Sequence, residues 1–160
     1  MPTRRGSPLK CAPITMVFRA RYSSLDDWVS VVEAHLPRWC RSDLVRAGIA
    51  EAMSNAIIHG ALGLSSALRD EGEFEAWLAL IEERERACRG AFVTVSVERE
   101  GEGDGLVLEV SDPGEGFAWK SLPARTGRGL SILHAAFDSV RWNDVGNTLF
   151  AHLPDRRREP

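Results

Sequence analysis

The sequence predicts an α+β domain in which helices pack on one face of a mixed, mostly antiparallel sheet. Three observations carry that prediction. Val93, Val95 and Val97 alternate with Thr94 and Ser96, which marks a strand with one buried face. The turn Gly101-Glu102-Gly103-Asp104-Gly105 leads into an alternating run from Leu106 to Asp112, so the two strands form an antiparallel hairpin. The flanking stretches have a helical apolar period, which supplies the second layer.

The elements follow in order. Met1 to Pro13 is basic, with prolines and a Gly-Ser pair, and reads as a flexible arm. Ile14 to Tyr22 is rich in β-branched and aromatic residues and reads as a strand. Ser23-Ser24-Leu25-Asp26-Asp27 has the hydroxyls and early acids of a helix start, and that helix runs through Trp28, Val31, Val32 and His35 and stops before Pro37. A second helix opens at Ser42-Asp43, carries Val45, Ile49, Ala52, Met53 and Ala56 on one stripe, and closes near Gly60. Ala61 to Asp70 is a connection. Phe74, Trp77, Leu78, Ile81 and Cys88 make a further helical stripe, with Glu82-Glu83-Arg84-Glu85-Arg86 on its solvated side. After the hairpin, glycine-rich chain leads to a helix lined by Leu130, Leu133 and Phe137. Strands from Ser139 to Asn143 and from Asn147 to Leu153 close the fold, and residues 154–160 form a charged tail.

Composition narrows the function. The 160 residues are 44% hydrophobic and 27% charged, an ordinary globular balance for one domain spanning residues 14–153. No apolar run approaches the roughly 20 residues of a membrane span, and Met-Pro-Thr-Arg-Arg-Gly is no signal peptide. The net charge of −3 argues against nucleic acid as the main ligand. Cys11, Cys40 and Cys88 have neither disulfide-framework nor zinc spacing and read as free thiols of a cytoplasmic protein. His35, His134 and His152 stand without a carboxylate or cysteine at ligand spacing.

Four stretches carry chemistry. Glu51 and Asn55 lie four apart on the second helix, so both project from one face. A carboxylate beside a neutral oxygen ligand suits a hard cation such as magnesium, or belongs to a solvated face. Asp112 shares the parity of Leu106, Leu108 and Val110, which aims its carboxylate toward the apolar side and calls for a donor. Pro113, Gly114, Glu115, Gly116 and Phe117 follow, and the two glycines permit close backbone approach. Thr126-Gly127-Arg128-Gly129-Leu130 opens a helix, where free N–H groups and the Arg128 charge favour an anion. Last, Gly146-Asn147-Thr148 precedes the final strand, with Thr148 on the parity opposite to Leu149, Ala151 and Leu153.

In that order these motifs resemble the GHKL ATP-binding superfamily, and most closely its anti-sigma-factor serine/threonine kinases. The resemblance covers roughly Ile14 to Leu153: Ile49 to Gly60 is similar to the N box, Asp112 to Phe117 to the first glycine box, and Gly127 to Leu130, with Asp138 and Val140 downstream, to the second. It implies the two-layer α+β sandwich of that superfamily, with ATP held between the helices and a lid over Ala118 to Thr126 that is mobile without nucleotide. It implies Glu51 as general base, Asn55 as the Mg²⁺ ligand and Asp112 as acceptor of the adenine amino group. Thr126, Gly127, Arg128, Gly129 and Leu130 then face the phosphates, Gly114 and Gly116 shape the pocket, and His59 and Thr148 border it. Trp119 falls within the lid. The helix between N box and hairpin departs from compact members of the family and resembles a variant joined to, or encoded with, receiver and phosphatase modules.

The activity implied is transfer of the ATP γ-phosphoryl group to a STAS-type anti-anti-sigma protein, combined with sequestration of a sigma factor. A homodimer, with no direct nucleic-acid or membrane partner, completes the expectation. Two rivals stand beside it. One is a binding module that uses ATP only to order its lid. The other is a histidine-kinase catalytic domain, which fits less well because no long helix pair with a phosphoacceptor histidine precedes Glu51 in this sequence.

Overall fold

The computed structural model describes residues 12–65, 67–100, 105–121 and 127–153. Strand β1 (Ile14–Arg19) leads through a 3-10 turn at Tyr22–Ser24 into α1 (Leu25–Ala34). Helix α2 (Asp43–Asn55) continues into a π-helical turn, Ala56–Ala61. A short α3 (Ala67–Asp70) precedes α4 (Phe74–Ala87), and then come β2 (Phe92–Arg99) and β3 (Leu106–Ser111). Helix α5 (Gly127–Ala136), β4 (Ser139–Trp142) and β5 (Thr148–Leu153) complete the chain.

The five strands lie in the order β1-β2-β3-β5-β4, and all four pairings are antiparallel. The predicted α+β architecture is thus the observed one, with a sheet that is antiparallel throughout rather than mixed. Phe18, Val93, Val95, Val97, Leu106, Leu108, Val110, Leu149, Ala151 and Leu153 share one face and are buried. They meet Ile49, Met53, Ile57 and Leu133 from the helices in a single core. That face excludes water over most of the sheet, at roughly 25 cal/mol per Å² of apolar surface removed.

The helices are placed by caps and one arginine. Ser42 caps α2, its Oγ accepting from the Val45 N–H at 3.1 Å. Arg41 donates to the carbonyls of Ala34 and Leu36, which α1 would otherwise leave open at its end. Arg46 ties α2 to α1 through Asp26 and Glu33, each at 2.7 Å. Gly48 lets α5 cross α2 closely: a Cβ there would lie 2.5 Å from the Ala136 Cβ. The crossing carries the start of α5 over the polar edge of α2.

Several details depart from the sequence reading. The first strand stops at Arg19, because Arg21 N–H bonds back to Arg19 O and turns the chain, while the Tyr22 ring packs edge-on against Trp77 at 5.7 Å. Helix α1 buries Val29 and Val32, whereas Val31 is 43% exposed. Ser24 makes no side-chain cap bond. Phe74 opens the stripe of α4 but is 54% exposed, leaving Trp77 and Ile81 as its buried contacts. The expected arm, apart from Ala12 and Pro13, the hairpin turn at 101–104 and the charged tail lie outside the described residues.

Candidate functional site

Asp112 follows β3 directly and keeps the inward parity. Its backbone N–H donates to Asn147 O at 3.0 Å, and its Oδ1 accepts from the Gly114 N–H at 2.8 Å. Burial raises its pKa above the ordinary carboxylate value, and the Gly114 bond opposes that rise. Gly60, at the end of the π turn, packs on this carboxyl group so closely that a Cβ would overlap it. A Cβ on Gly114 would lie 2.6 Å from Gly60 O and 2.8 Å from Asp112 Oδ1. The π turn and the exit from β3 therefore meet through their backbones and the Asp112 carboxyl group alone.

A second crossing lies beside the first. Gly116 and Gly146 have φ of +80° and +89°, in the left-handed region that glycine favours. A Cβ on Gly116 would collide with Val145 O, and one on Gly146 with Phe117 O. Asn143 holds the β4–β5 turn by accepting on Oδ1 from the N–H groups of Gly146, Asn147 and Thr148 at 2.7, 3.0 and 3.3 Å. Asn147 carries the tie onward, donating from Nδ2 to Gly114 O at 3.0 Å and accepting on Oδ1 from Asn143 Nδ2 at 2.8 Å.

The other end of the site is made by α2 and α5. Asn55 Nδ2 donates to Glu51 Oε1 at 3.1 Å, as their four-residue spacing allows. Gly129, in the first turn of α5, packs directly against the Glu51 carboxylate. An acid and a helix N-terminus meet there, an arrangement favoured by the helix dipole.

Between the two ends lies a cavity of about 850 Å³, within the range of small-molecule sites. Asn55, His59, Asp112, Gly114, Gly116 and Leu130 line it, with Val110 and Leu149 supplying apolar floor. Glu51 and Gly129 sit at its margin in mutual contact rather than in its wall. Arg128 is exposed and does not contribute to the wall. His59 is exposed, and its Nδ1 is hydrogen bonded to Leu64 O. Thr126 lies outside the described residues. Thr148 points away from the cavity: its Oγ1 pairs with Ser111 Oγ at 3.0 Å on the open face of the sheet, as its strand parity requires.

The segment expected to be a mobile lid is tied down over its first part. Trp119 to Ser121 forms a 3-10 turn; Trp119 Nε1 donates to Asn143 O at 2.7 Å, and Lys120 reaches Asp144 at 2.8 Å. Trp119 also packs on Trp142, with ring centroids 5.9 Å apart. Residues 122–126 lie outside the described ones.

The sequence reading missed Asn143 and Asn147 as site-builders. Their signal was the spacing of two Asx residues around Gly146, which suits side-chain capping of a turn. It also read the end of the N box as ordinary helix, whereas the π turn is what brings Gly60 onto Asp112. Arg84, placed among solvated charges by its sequence, lines the cavity as well.

Among the described residues no group of three or more His, Cys, Asp or Glu side chains converges to hold a metal. Nor, among the described residues, is any helix long and apolar enough to cross a membrane. The family model for the histidine kinase-like ATPase domain matches residues 18–152. No curated protein matches the chain. With the match running from the end of β1 into β5 and across both ends of the cavity, the chain belongs to the histidine kinase-like ATPase domain family, whose ATP-binding architecture this fold reproduces.

Proposed function

We propose that this ATPase-family domain is a serine/threonine protein kinase that phosphorylates a STAS-type anti-anti-sigma protein and sequesters a sigma factor when that antagonist is absent or modified. The observation that carries the catalytic part is the meeting of Glu51, Asn55 and the first turn of α5 at one end of a cavity whose other end presents the half-buried Asp112. The assignment to STAS and sigma-factor partners rests on the wording of the three boxes alone.

In this reading Asp112 accepts a hydrogen bond from the adenine amino group, which supplies a partner for a carboxylate whose charged form is disfavoured by burial. Val110 and Leu149 give the base an apolar floor. The N–H groups of the first turn of α5 donate to phosphate oxygens. Asn55 presents a neutral oxygen, which with phosphate and water oxygens makes a magnesium site without a protein cage. Bound magnesium would neutralise phosphate charge during transfer. Glu51 accepts the proton of the incoming hydroxyl, and so must exchange its present neighbours for the reacting groups. Phosphoryl transfer then depends mainly on positioning and charge, which this constellation supplies. Phosphorylation places about two negative charges on the antagonist and weakens its hold on the same surface.

Purified protein incubated with Mg–ATP and candidate STAS partners from its own cell tests the proposal. Transfer to serine or threonine, lost in Glu51→Gln, supports it. ATP binding without transfer to any partner would instead identify a module that sequesters its partner without chemistry.

A further inference from the structure

Helix α4 belongs to the insertion that sets this chain apart, and its packing explains only part of it. Trp77 and Ile81 are buried against the core, and Glu85 Oε1 accepts the Tyr22 N–H at 2.6 Å. Next to Glu85, Arg84 donates from Nε to Leu62 O at 3.0 Å and forms part of the cavity wall. A Cβ on Gly63 would lie 3.5 Å from its Nη2, so the guanidinium rests along the chain just after the π turn. Among the described residues it is the only Arg or Lys side chain in that wall, and no carboxylate forms an ion pair with it.

Its place along the cavity follows from helix geometry. From Glu51 the helix runs a full α turn to Asn55 and then through the π turn Ala56–Ala61 before Leu62, so about two helical turns or more separate the two. Leu62 follows closely on Gly60, which packs on Asp112. The guanidinium therefore lies at the end opposite Glu51 and α5. Among the described residues no ion pair joins Arg84 to Asp112, whose Oδ1 accepts from the Gly114 N–H. One end of the cavity thus holds an anionic acceptor and, apart from it, a planar cation with both terminal amino groups uncommitted among the described residues.

We propose that Arg84 is a nucleotide-binding residue for the base-and-ribose end of ATP, lent to the site by the inserted helix, with its guanidinium plane against the adenine base. The inference rests on the ATP-binding reading of the cavity. A guanidinium over an aromatic face is attracted by the ring quadrupole, and its fixed plane suits stacking better than an ammonium does. Such a contact is indifferent to the phosphates. That separates it from an arginine that steers or neutralises them.

Calorimetry on the full chain with ATP, ADP and adenosine provides the test. Arg84→Ala should weaken all three by the same factor, about 3- to 30-fold. Arg84→Lys keeps the charge and a donor for Leu62 O, and should still lose most of that factor. It also carries the test if the alanine variant fails to fold. The Arg84 Nε–H resonance, assigned by its absence in Arg84→Lys, should move when adenosine alone is added. A purely structural clamp on Leu62 predicts full rescue by lysine and a resonance indifferent to adenosine. Either result overturns the proposal, as does a loss confined to ATP and ADP. If the wild type binds none of the three ligands, the ATP reading falls and takes this one with it. If the wild type binds ATP, Asp112→Asn weakens it and the Arg84 variants do not, the Arg84 assignment alone is wrong.

Discussion

The two ends of the cavity are built from different materials. At the Asp112 end, backbone meets backbone: Gly114 against Gly60 O, and Gly116 and Phe117 against Val145 and Gly146, with Asn143 and Asn147 bonding the pieces together. At the Glu51 end the contact is a flexible side chain against the start of a helix, and the chain leading into that helix at 122–126 lies outside the described residues. Backbone crossings resist displacement, because neither partner has a rotamer to change. A glutamate tip can swing away at the cost of one charge-assisted hydrogen bond from Asn55, about 1.5–3 kcal/mol. The first end is suited to recognising a fixed shape, and the second to groups that must rearrange during a reaction.

The sharpest way to break that contrast is to change the Glu51 end without touching binding. Glu51→Gln keeps size and hydrogen bonding but removes the proton acceptor. Loss of a general base typically lowers rate about 10²–10⁴-fold, and an interaction made only in the transition state leaves ground-state affinity alone. Asn55→Ala should instead weaken Mg–ATP binding itself. Phosphate transfer and ATP affinity measured side by side decide the matter: equal rates for wild type and Glu51→Gln would remove Glu51 from the chemistry.

At the Asp112 end the prediction is reversed. Asp112→Asn preserves shape but loses a charge-assisted acceptor worth about 1.5–3 kcal/mol, so ATP affinity should fall roughly 10- to 100-fold. GTP should bind poorly to the wild type, since its base presents no amino group at the corresponding position. Indistinguishable ATP and GTP affinities in calorimetry would contradict the adenine assignment.

Glycine substitutions compare the materials themselves. Gly146→Ala puts a Cβ on a residue at φ +89° and onto a backbone carbonyl, with no side chain to give way. A cost of about 1–3 kcal/mol follows for the strained backbone alone, a fall of roughly 2–9 °C in melting temperature for a chain of this size. Gly129→Ala meets only the end of Glu51, which can rotate aside. Its melting temperature should stay close to wild type while phosphate transfer declines. Equal thermal losses in the two variants would show that the ends do not differ as described.

What the sequence made legible follows the same division. Strand parity placed Asp112 inward and set Thr148 against the other face, because a period of two admits no third direction. The i, i+4 spacing brought Glu51 and Asn55 together for an equally local reason. Contacts between distant segments left no such trace. Nothing in Ala56–Ala61 announces a π turn, since its residues suit an ordinary helix equally well. The meeting of Gly60 with Asp112, and of Phe117 with Gly146, depends on how α2 and the β4–β5 turn pack on the sheet. Arg84 is exposed, as its charge run suggests, but only the path of α4 brings it to the cavity. Trp119 gave no sign of its place either: the indole N–H finds a carbonyl in the β4–β5 turn, which spacing along the chain does not reveal.

The smallest predicted effect concerns stability, and it runs opposite to binding at the same residue. The folded-state pKa of Asp112 is raised above its unfolded value, chiefly by burial. Below the unfolded value the group is protonated in both states and carries no electrostatic cost. As pH rises through the folded pKa, the folded chain must hold a partly buried carboxylate that water solvates better, so stability falls. Asp112→Asn removes that ionisation. The nucleotide-free variant should therefore be at least as stable as wild type at neutral pH, provided its amide still accepts the Gly114 N–H. The advantage should shrink as pH is lowered through the carboxylate range, and adding ATP should reverse the order, because the wild type alone gains from tight binding. Urea unfolding at pH 4 and pH 7, with and without nucleotide, measures all four cases. A nucleotide-free variant less stable at pH 7 than at pH 4, relative to wild type, would mean that Asp112 holds the fold together rather than waiting for a ligand.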